Sequence, residues 1–387
     1  MKLLSIEPTP SPNAMKLNVD ASLAPGVKYA YDRENGSAAP AHLRPLLAIP
    51  GVKSVYHAAD FIALEREAGA DWRAVLAAVR EAFGADAETS TAASLSFSGS
   101  QDNPYGYGEA HVLVQTFRGI PMQVRVRSGI EESRVALPAR FAEAAMKAGA
   151  ASPNLIRERA LVDRGVRYGE LPDIAEAVAA ELDAAYDDAR LAELVARAEA
   201  MGDAAPAPEL AAAAALAPEE VAARLADADW KVRYAALERL KPTPETFGVV
   251  EQALADDNFS VRRLAVVYLG DMKTPEAVRR LSAMLKDPSV AVRRTAGDAL
   301  SDIGDASAQP AMIEALADKS KIVRWRAARF LYDLGDEAAL DALRAAADDP
   351  EFEVALQARM AIERIASGEA AAGTVWQQMA RSRESAD

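Results

Sequence analysis

Asp287-Pro288-Ser289-Val290-Ala291-Val292-Arg293-Arg294-Thr295-Ala296-Gly297-Asp298-Ala299-Leu300 returns further on as Asp318-Lys319-Ser320-Lys321-Ile322-Val323-Arg324-Trp325-Arg326-Ala327-Ala328-Arg329-Phe330-Leu331. Alignment on the valines extends the series to Val232, Val261, Val292, Val323 and Val354. Each has an Asp five residues before it: Asp227, Asp256, Asp287, Asp318 and Asp349. Four after it stands Ala236, Ala265, Ala296, Ala327 or Ala358, and eight after it Leu240, Leu269, Leu300, Leu331 or Ile362. The anchors are 29, 31, 31 and 31 residues apart. A period in that range belongs to stacked supersecondary units, since a pair of short helices cannot bury its apolar face alone.

Each unit reads as two helices. The Asp is expected to cap the first, complementing its dipole, with Pro288 and Pro350 tolerated just inside the start. The Ala and Leu positions then lie on one helix face, the Ala permitting close approach of a neighbour. Ile303-Gly304-Asp305, Leu334-Gly335-Asp336 and Met272-Lys273-Thr274-Pro275 mark the turns. Second helices follow, carrying Leu281 and Leu285, Met312 and Leu316, and Leu343 and Ala347. The pattern Asp-x-x-x-x-Val-Arg-x-x-Ala-x-x-x-Leu resembles the short HEAT-type repeat also found in phycobilisome lyases. That resemblance implies a ladder of Asp256, Arg262, Asp287, Arg293, Asp318 and Arg324 between units, with Arg233 continuing it and Ala355 closing it as a terminal repeat. A row of arginines binding phosphate or acidic peptide is the other reading. The bulky positions Trp230, Phe259, Val290 and Phe352, with Lys321 the exception, are expected to pack between repeats.

The chain has 387 residues and a formal net charge of −14, so several domains are expected and neither nucleic acid nor membrane is a default partner. It contains no cysteine, which excludes disulfides, thiolate nucleophiles and cysteine-held metal centres made by this chain alone. Met1 to Glu7 offers too short an apolar run for a signal peptide, and a cytoplasmic protein is expected.

Ahead of the repeats, residues 1–86 read as a small ββαββα unit. The strand Ala14–Val19, a helical stretch from His42 to Ala48, two β-rich runs at 51–56 and 61–65, and a helix from Trp72 to Phe83 capped by Asp71 compose it. Thr9-Pro10-Ser11-Pro12-Asn13-Ala14-Met15-Lys16, with Pro50-Gly51-Val52-Lys53-Ser54-Val55 and Asp60-Phe61-Ile62-Ala63-Leu64, resembles the N-terminal domain of NifU-like (Nfu) iron–sulfur scaffolds. Ser11 and Leu17 depart from the common motif, which has Asn and Phe there. In that family a Cys-x-x-Cys motif in another domain holds the cluster, and this chain cannot supply it.

After a small, polar linker, a second α/β module is expected at 95–200. Its strands are Leu95–Ser98, His111–Thr116 and Met122–Arg127, and its helices run near 138–148, 153–163 and 171–200. Residues 201–218 are a linker or a degenerate repeat, the HEAT-like repeats occupy 219–366, and 367–387 form a terminal cap or tail. The fold class is thus α/β plus α: two small α/β modules and a C-terminal α-solenoid of about five repeats.

Catalytic patterns are not found. His42, His57 and His111 have no metal-motif spacing, and the His-Glu dipeptides of HEAT-type deoxyhypusine hydroxylases do not occur. Tyr105-Gly106-Tyr107-Gly108 lacks the residues of a phosphate loop, and no nucleophile elbow occurs. Catalytic residues, metal ligands and a cofactor are therefore not expected. Arg118, Arg167 and Tyr168 collect beside turns in the middle module as a candidate anion- or peptide-binding surface; alternatively its arginines pair with Glu158, Asp163 and Glu170 to fasten helices to the sheet. Pro12 and Asn13 in the first module and Arg279, Arg280 and Met284 on a second helix complete the candidate partner-binding residues.

The order of parts resembles the bacterial conserved virulence factor C family. This implies an accessory or regulatory effect on virulence-factor production, without catalytic residues to carry over. The expectation is a non-enzymatic scaffold binding a protein through its solenoid. An accessory factor in iron–sulfur assembly, recruiting a cysteine-bearing scaffold or client through residues 1–86, is the alternative, and a lyase-like HEAT enzyme the second alternative.

Overall fold

The computed structural model describes residues 1–9, 11, 13–24, 27–67, 70–84, 109–128, 131–150, 158–201 and 213–368. Two compact units divide the chain, Met1–Tyr107 and Gly108–Asp387.

In the first unit β1 (Leu3–Pro8), β2 (Ala14–Val19), β3 (Lys28–Asp32), β4 (Val52–Ala58) and β5 (Phe61–Arg66) form an antiparallel sheet ordered β1-β2-β5-β4-β3. Met15, Leu17 and Val19 alternate inward from β2 and Ile62 and Leu64 from β5. They share the buried core with Leu43 and Leu46 beside α1 (Arg44–Leu47) and with Trp72, Val75 and Val79 of α2 (Trp72–Ala82). Asp71 caps α2 by accepting the Arg73 N–H at 3.0 Å. The order is βββαββα, one strand more than the sequence suggests. The extra strand, β3, lies at the sheet edge and buries none of its residues fully, so Lys28-Tyr29-Ala30-Tyr31-Asp32 shows only a weak apolar alternation.

In the second unit β6 (Glu109–Phe117), β7 (Ile120–Ser128), β8 (Glu131–Ala136) and β9 (Arg159–Tyr168) make an antiparallel sheet ordered β8-β7-β6-β9. Val112, Val114, Val124 and Val126 face a core completed by α3 (Ala139–Gly149), α4 (Leu171–Ala185) and α5 (Asp188–Ala200). Two expectations are corrected here. The helix expected at 153–163 gives way to β9 from Arg159, because pairing with β6 along the strand outweighs the helical propensity of Arg, Glu, Ala and Leu. The long helix at 171–200 is two helices, broken at Tyr186-Asp187, where Asp187 accepts the Arg190 N–H at 2.8 Å and restarts the chain as α5. The expected strand Leu95–Ser98 and the start of the expected helix lie outside the described residues.

The repeats follow as pairs. First helices are α7 (Trp230–Glu238), α9 (Phe259–Met272), α11 (Val290–Ile303), α13 (Lys321–Leu334) and α15 (Phe352–Ala366). Second helices are α8 (Phe247–Ala253), α10 (Pro275–Met284), α12 (Gln309–Ala315) and α14 (Leu340–Ala346). A short α6 (Pro218–Arg224) packs on α7 and α8 as a second helix packs on the unit after it, so the stack begins with half a repeat. Val261, Val292, Val323 and Val354 are buried, as are all five repeat alanines. Val232 is exposed, having no first helix before it among the described residues. Phe259 and Val290, expected between repeats, are also exposed, because two positions before the anchor the helix is only starting and points outward.

The repeating Asp does something other than cap the helix. The N-cap residues are Asp229, Asn258, Ser289, Ser320 and Glu351, two positions later, and each donates its N–H to the preceding Asp at 2.7–2.9 Å. From Asp256 onward, the same carboxylate receives the arginine of the previous unit. Arg262 Nε and Nη2 donate to Asp287 at 2.7 and 3.0 Å, Arg293 to Asp318 at 2.7 and 3.0 Å, and Arg324 to Asp349 at 2.6 and 2.9 Å. Arg233 makes the same fork with Asp256. Each arginine's Nη1 meanwhile donates to carbonyls in its own helix-entry loop, as Arg293 does to Asp287 O at 2.9 Å and Pro288 O at 3.1 Å. Units close with Gly304 in the left-handed region at φ 71°, or with Gly335, where a Cβ would stand 2.5 Å from Leu331 O.

No helix among the described residues is long and apolar enough to cross a membrane. Arg293→Ala removes a nearly buried ion pair and strands Asp318, so urea unfolding is expected to show a loss of about 3 kcal/mol. Exposed Arg279→Ala is expected to stay within about 0.5 kcal/mol of the parent.

Candidate partner-binding surfaces

Glu181 is the hub of the second unit. It sits on α4 with its side chain 5% exposed, and its two oxygens accept Arg167 Nη1 and Nη2 from β9 at 3.0 and 2.6 Å. From the other side Arg263 of α9 reaches the same oxygens at 3.4 and 3.3 Å. Burial pushes the carboxyl up, but the guanidiniums of Arg263 and Arg167 overrule it and hold Glu181 at about 2. Around this centre Lys231 of α7 donates to Asp183 at 2.5 Å, and Arg294 of α11 lies over the Tyr168 ring at 3.7 Å. The middle module therefore binds the first helices of three consecutive repeats.

Those contacts place the candidate residues of this module. Arg167 and Tyr168 are engaged in the module contact itself. Arg118 is buried, pairs with Glu158 and donates to Ala198 O at 2.6 Å, tying the two-residue β6–β7 turn to the end of α5. The three do not converge on an open surface. In the first unit Asn13 accepts Arg66 Nε at 3.2 Å, and its carbonyl accepts the Arg66 N–H at 2.9 Å; Pro12 lies outside the described residues.

The second helices are different. Arg279 and Arg280 of α10 are exposed and pair with Glu276 and with Glu251 of α8, while Met284 is half-buried. Lys286 reaches Glu314 of α12 at 2.7 Å. Clefts open between units on this side, one of about 410 Å³ lined by Leu285, Lys286, Ala311, Glu314 and Lys319, another of about 270 Å³ beside Leu225, Gln252 and Asp257. Of the six ladder residues, Asp256, Asp287, Arg293 and Asp318 line these clefts, and all six are held in their forks, Asp256 by Arg233 and Arg324 by Asp349.

One constellation escaped the sequence reading. His42 Nε2 and His57 Nδ1, fifteen residues apart in sequence, stand 2.9 Å from each other, with the Tyr29 ring against both. Burial lowers both histidines, helped at His42 by the charge of the N-terminal amine and at His57 by the neighbouring His42. Only strand pairing of β3 with β4, which sets Tyr29 opposite His57, could have signalled it. Among the described residues no group of three or more metal-ligating side chains is present.

These features define a HEAT-repeat protein that carries two small α/β modules ahead of its solenoid. Family models agree in three parts: Scaffold protein Nfu/NifU N terminal over residues 4–89, Virulence factor over 115–195, and HEAT repeats over 218–295 and 278–363. The protein YpgR of Bacillus subtilis (strain 168) is 54% identical over 385 residues, covering 99% of both chains. Conserved virulence factor C of Staphylococcus aureus (strain NCTC 8325 / PS 47) is 44% identical over 381 residues, covering 98% of this chain and 99% of its own. The chain belongs to the conserved virulence factor C family. Among solved structures, protein SAV1430 of Staphylococcus aureus is similar to 21% of this chain over 99% of its own length, at 35% identity and a TM-score of 0.20.

Glu181→Gln leaves Arg167 and Arg263 facing a neutral amide, and is expected to cost about 3 kcal/mol and raise hydrogen exchange in α4, α7 and α9. Because the folded carboxyl lies below its unfolded value, its contribution is present above about pH 4.5 and fades as pH falls toward 2. The variant is therefore expected to lose this part of the acid dependence of unfolding.

Proposed function

We propose that the protein is a non-enzymatic cytoplasmic adaptor whose solenoid holds a protein partner on its second-helix side. One observation carries this reading: the middle module occupies the first-helix side of the early repeats through Glu181, Asp183 and Tyr168, while α8, α10 and α12 keep exposed side chains and inter-repeat clefts. Repeat stacks present such surfaces as extended binding faces, with specificity in the positions that vary from unit to unit. Arg279, Arg280 and Met284 are such positions, since nothing in the ladder or the core requires them. The relatives' name adds an accessory role in virulence to this reading. A photo-crosslinking residue at Arg280 or Glu314 in the native cell is expected to capture one protein in stoichiometric yield, and the same residue at buried Ala296 to capture none. Equal or absent capture at all three positions would sink the reading.

A second reading is favoured by the match of residues 4–89 to the Nfu/NifU N-terminal domain. Here the first unit recruits a cysteine-bearing iron–sulfur scaffold or its client, without holding a cluster itself. Mixing the full chain with a cluster-loaded scaffold is expected to give a complex on size-exclusion chromatography and a changed rate of cluster transfer. With neither effect, this alternative is excluded.

A further inference from the structure

The helices of the middle module cover one face of its sheet, and strand register shows what occupies the other. Three cross-strand rows run β9-β6-β7-β8: Val166, His111, Arg127, Glu132; then Asp163, Leu113, Arg125, Arg134; then Leu161, Gln115, Gln123, Ala136. These side chains are exposed or half-exposed, Leu161 at 46% and Val166 at 38%. On β9 and β6 the face carries Leu161, Leu113 and Val166 together with Asp163, His111 and Gln115, and on β7 and β8 it carries Arg125, Arg127 and Arg134 around Glu132.

The part on β7 and β8 is electrostatically unbalanced. Arg125 and Arg134 stand directly opposite each other, a pairing of like charges that destabilises a sheet. Glu132 is the shared partner of three arginines, with Arg134 at 2.8 Å, Arg127 at 3.4 Å and Arg125 at 4.0 Å. Arg125 also donates to Gln123 and Gln115 at 3.2 Å, whereas Arg127 and Arg134 have only Glu132 between them among the contacts of the described residues and remain about half exposed. On a chain of net charge −14 this is a concentrated positive surface bordered by exposed aliphatic side chains.

We propose that this face docks an acidic amphipathic helix of a partner protein, its apolar stripe on Leu161, Leu113 and Val166 and its carboxylates on the half-exposed Arg127 and Arg134. The dimensions agree. Strands β9 and β7 are separated by two strand spacings of about 4.8 Å, close to the diameter of about 10 Å of one helix lying along β9 and β6. Carboxylates flanking its stripe then fall over β7 and β8, where bidentate pairing with guanidinium is strongest. The proposal shares with the adaptor reading only the need for a partner, and places that partner on another element.

The test uses the full chain and a fluorescent peptide of about 20 residues, with leucines at helical spacing and glutamates beside them. Saturable binding that weakens as salt is raised is expected, and a lysine-for-glutamate version of the peptide is expected not to bind. Arg127→Glu with Arg134→Glu, and separately Leu161→Asp, are expected to raise Kd by about tenfold or more, while Arg344→Glu on α14 leaves it unchanged. Amide shifts of the unmodified chain must map to β6–β9, a readout that no folding defect can imitate. Absent binding, equal binding of the lysine peptide, or shifts mapping to α10 and α12 would overturn the proposal. So would self-association of the chain abolished by Leu161→Asp, which makes the occupant a second copy. The crosslinking at Arg280 is independent of all these outcomes, so failure here leaves the solenoid reading standing on its own evidence.

Discussion

A guanidinium shared between two repeats sets the geometry of the solenoid. In Arg262, Arg293 and Arg324, Nη1 is bound by carbonyls of the arginine's own entry loop while Nε and Nη2 fork onto the next unit's Asp. That Asp in turn accepts the N–H of the residue at the N-cap position of its own first helix. Three constraints therefore meet at one carboxylate: the entry turn, the helix start and the spacing to the preceding unit. Lysine's three donors radiate from one nitrogen and cannot make the planar two-point fork while a separate nitrogen holds the loop carbonyls. The irregular first spacing fits the same logic. The Asp-to-Val and Val-to-Leu intervals are kept in the first unit, and the two missing residues fall between Leu240 and Asp256, away from the fork. Its Arg233 still reaches Asp256 with both nitrogens.

The ladder orders the repeats but leaves both sides of the stack open, and Glu181 fixes which side the middle module covers. A carboxylate buried between two guanidiniums is costly to separate, because parting the module from the repeats would leave charges facing a gap. Arg294 on Tyr168 and Lys231 on Asp183 widen the same contact across three first helices. The module is thus part of the solenoid's architecture. What remains available on the early repeats is the second-helix side, together with the sheet face that the module turns away from its own helices.

The repeats were legible because structural demands recur at fixed residue types, the Asp and the Ala in five units and the buried Val and the forked Arg in four. A buried Val, a close-packed Ala and a forked Arg leave no freedom for substitution, so periodicity exposes them. The Asp was legible as a position and misread as a cap, since a carboxylate shortly before a helix serves a cap or an entry turn equally well. The strand from Arg159 was read as helix because its partner, β6, lies more than forty residues earlier and pairing carries no local signature. For the same reason Arg167, Glu181 and Arg263 looked unrelated, and so did His42 and His57. These pairings are made by tertiary contact, and neither propensity nor spacing reports one.

The two open surfaces differ in what they offer a partner. On the second helices the exposed charges are already matched: Arg279 with Glu276, Arg280 with Glu251, Lys286 with Glu314. A partner must break those pairs to make its own, and exchange of exposed ion pairs yields little, about 0–1 kcal/mol each. Affinity there has to come from side chains entering the clefts, so that surface selects by shape. On the sheet three arginines share one carboxylate, and an incoming acid relieves repulsion at the half-exposed Arg127 and Arg134 while Arg125 stays with Gln115 and Gln123. That surface selects by charge, and its contribution falls with salt while that of the clefts does not. If the proposed adaptor uses both, binding in the clefts persists through changes of ionic strength and binding on the sheet holds only while the fields are unscreened.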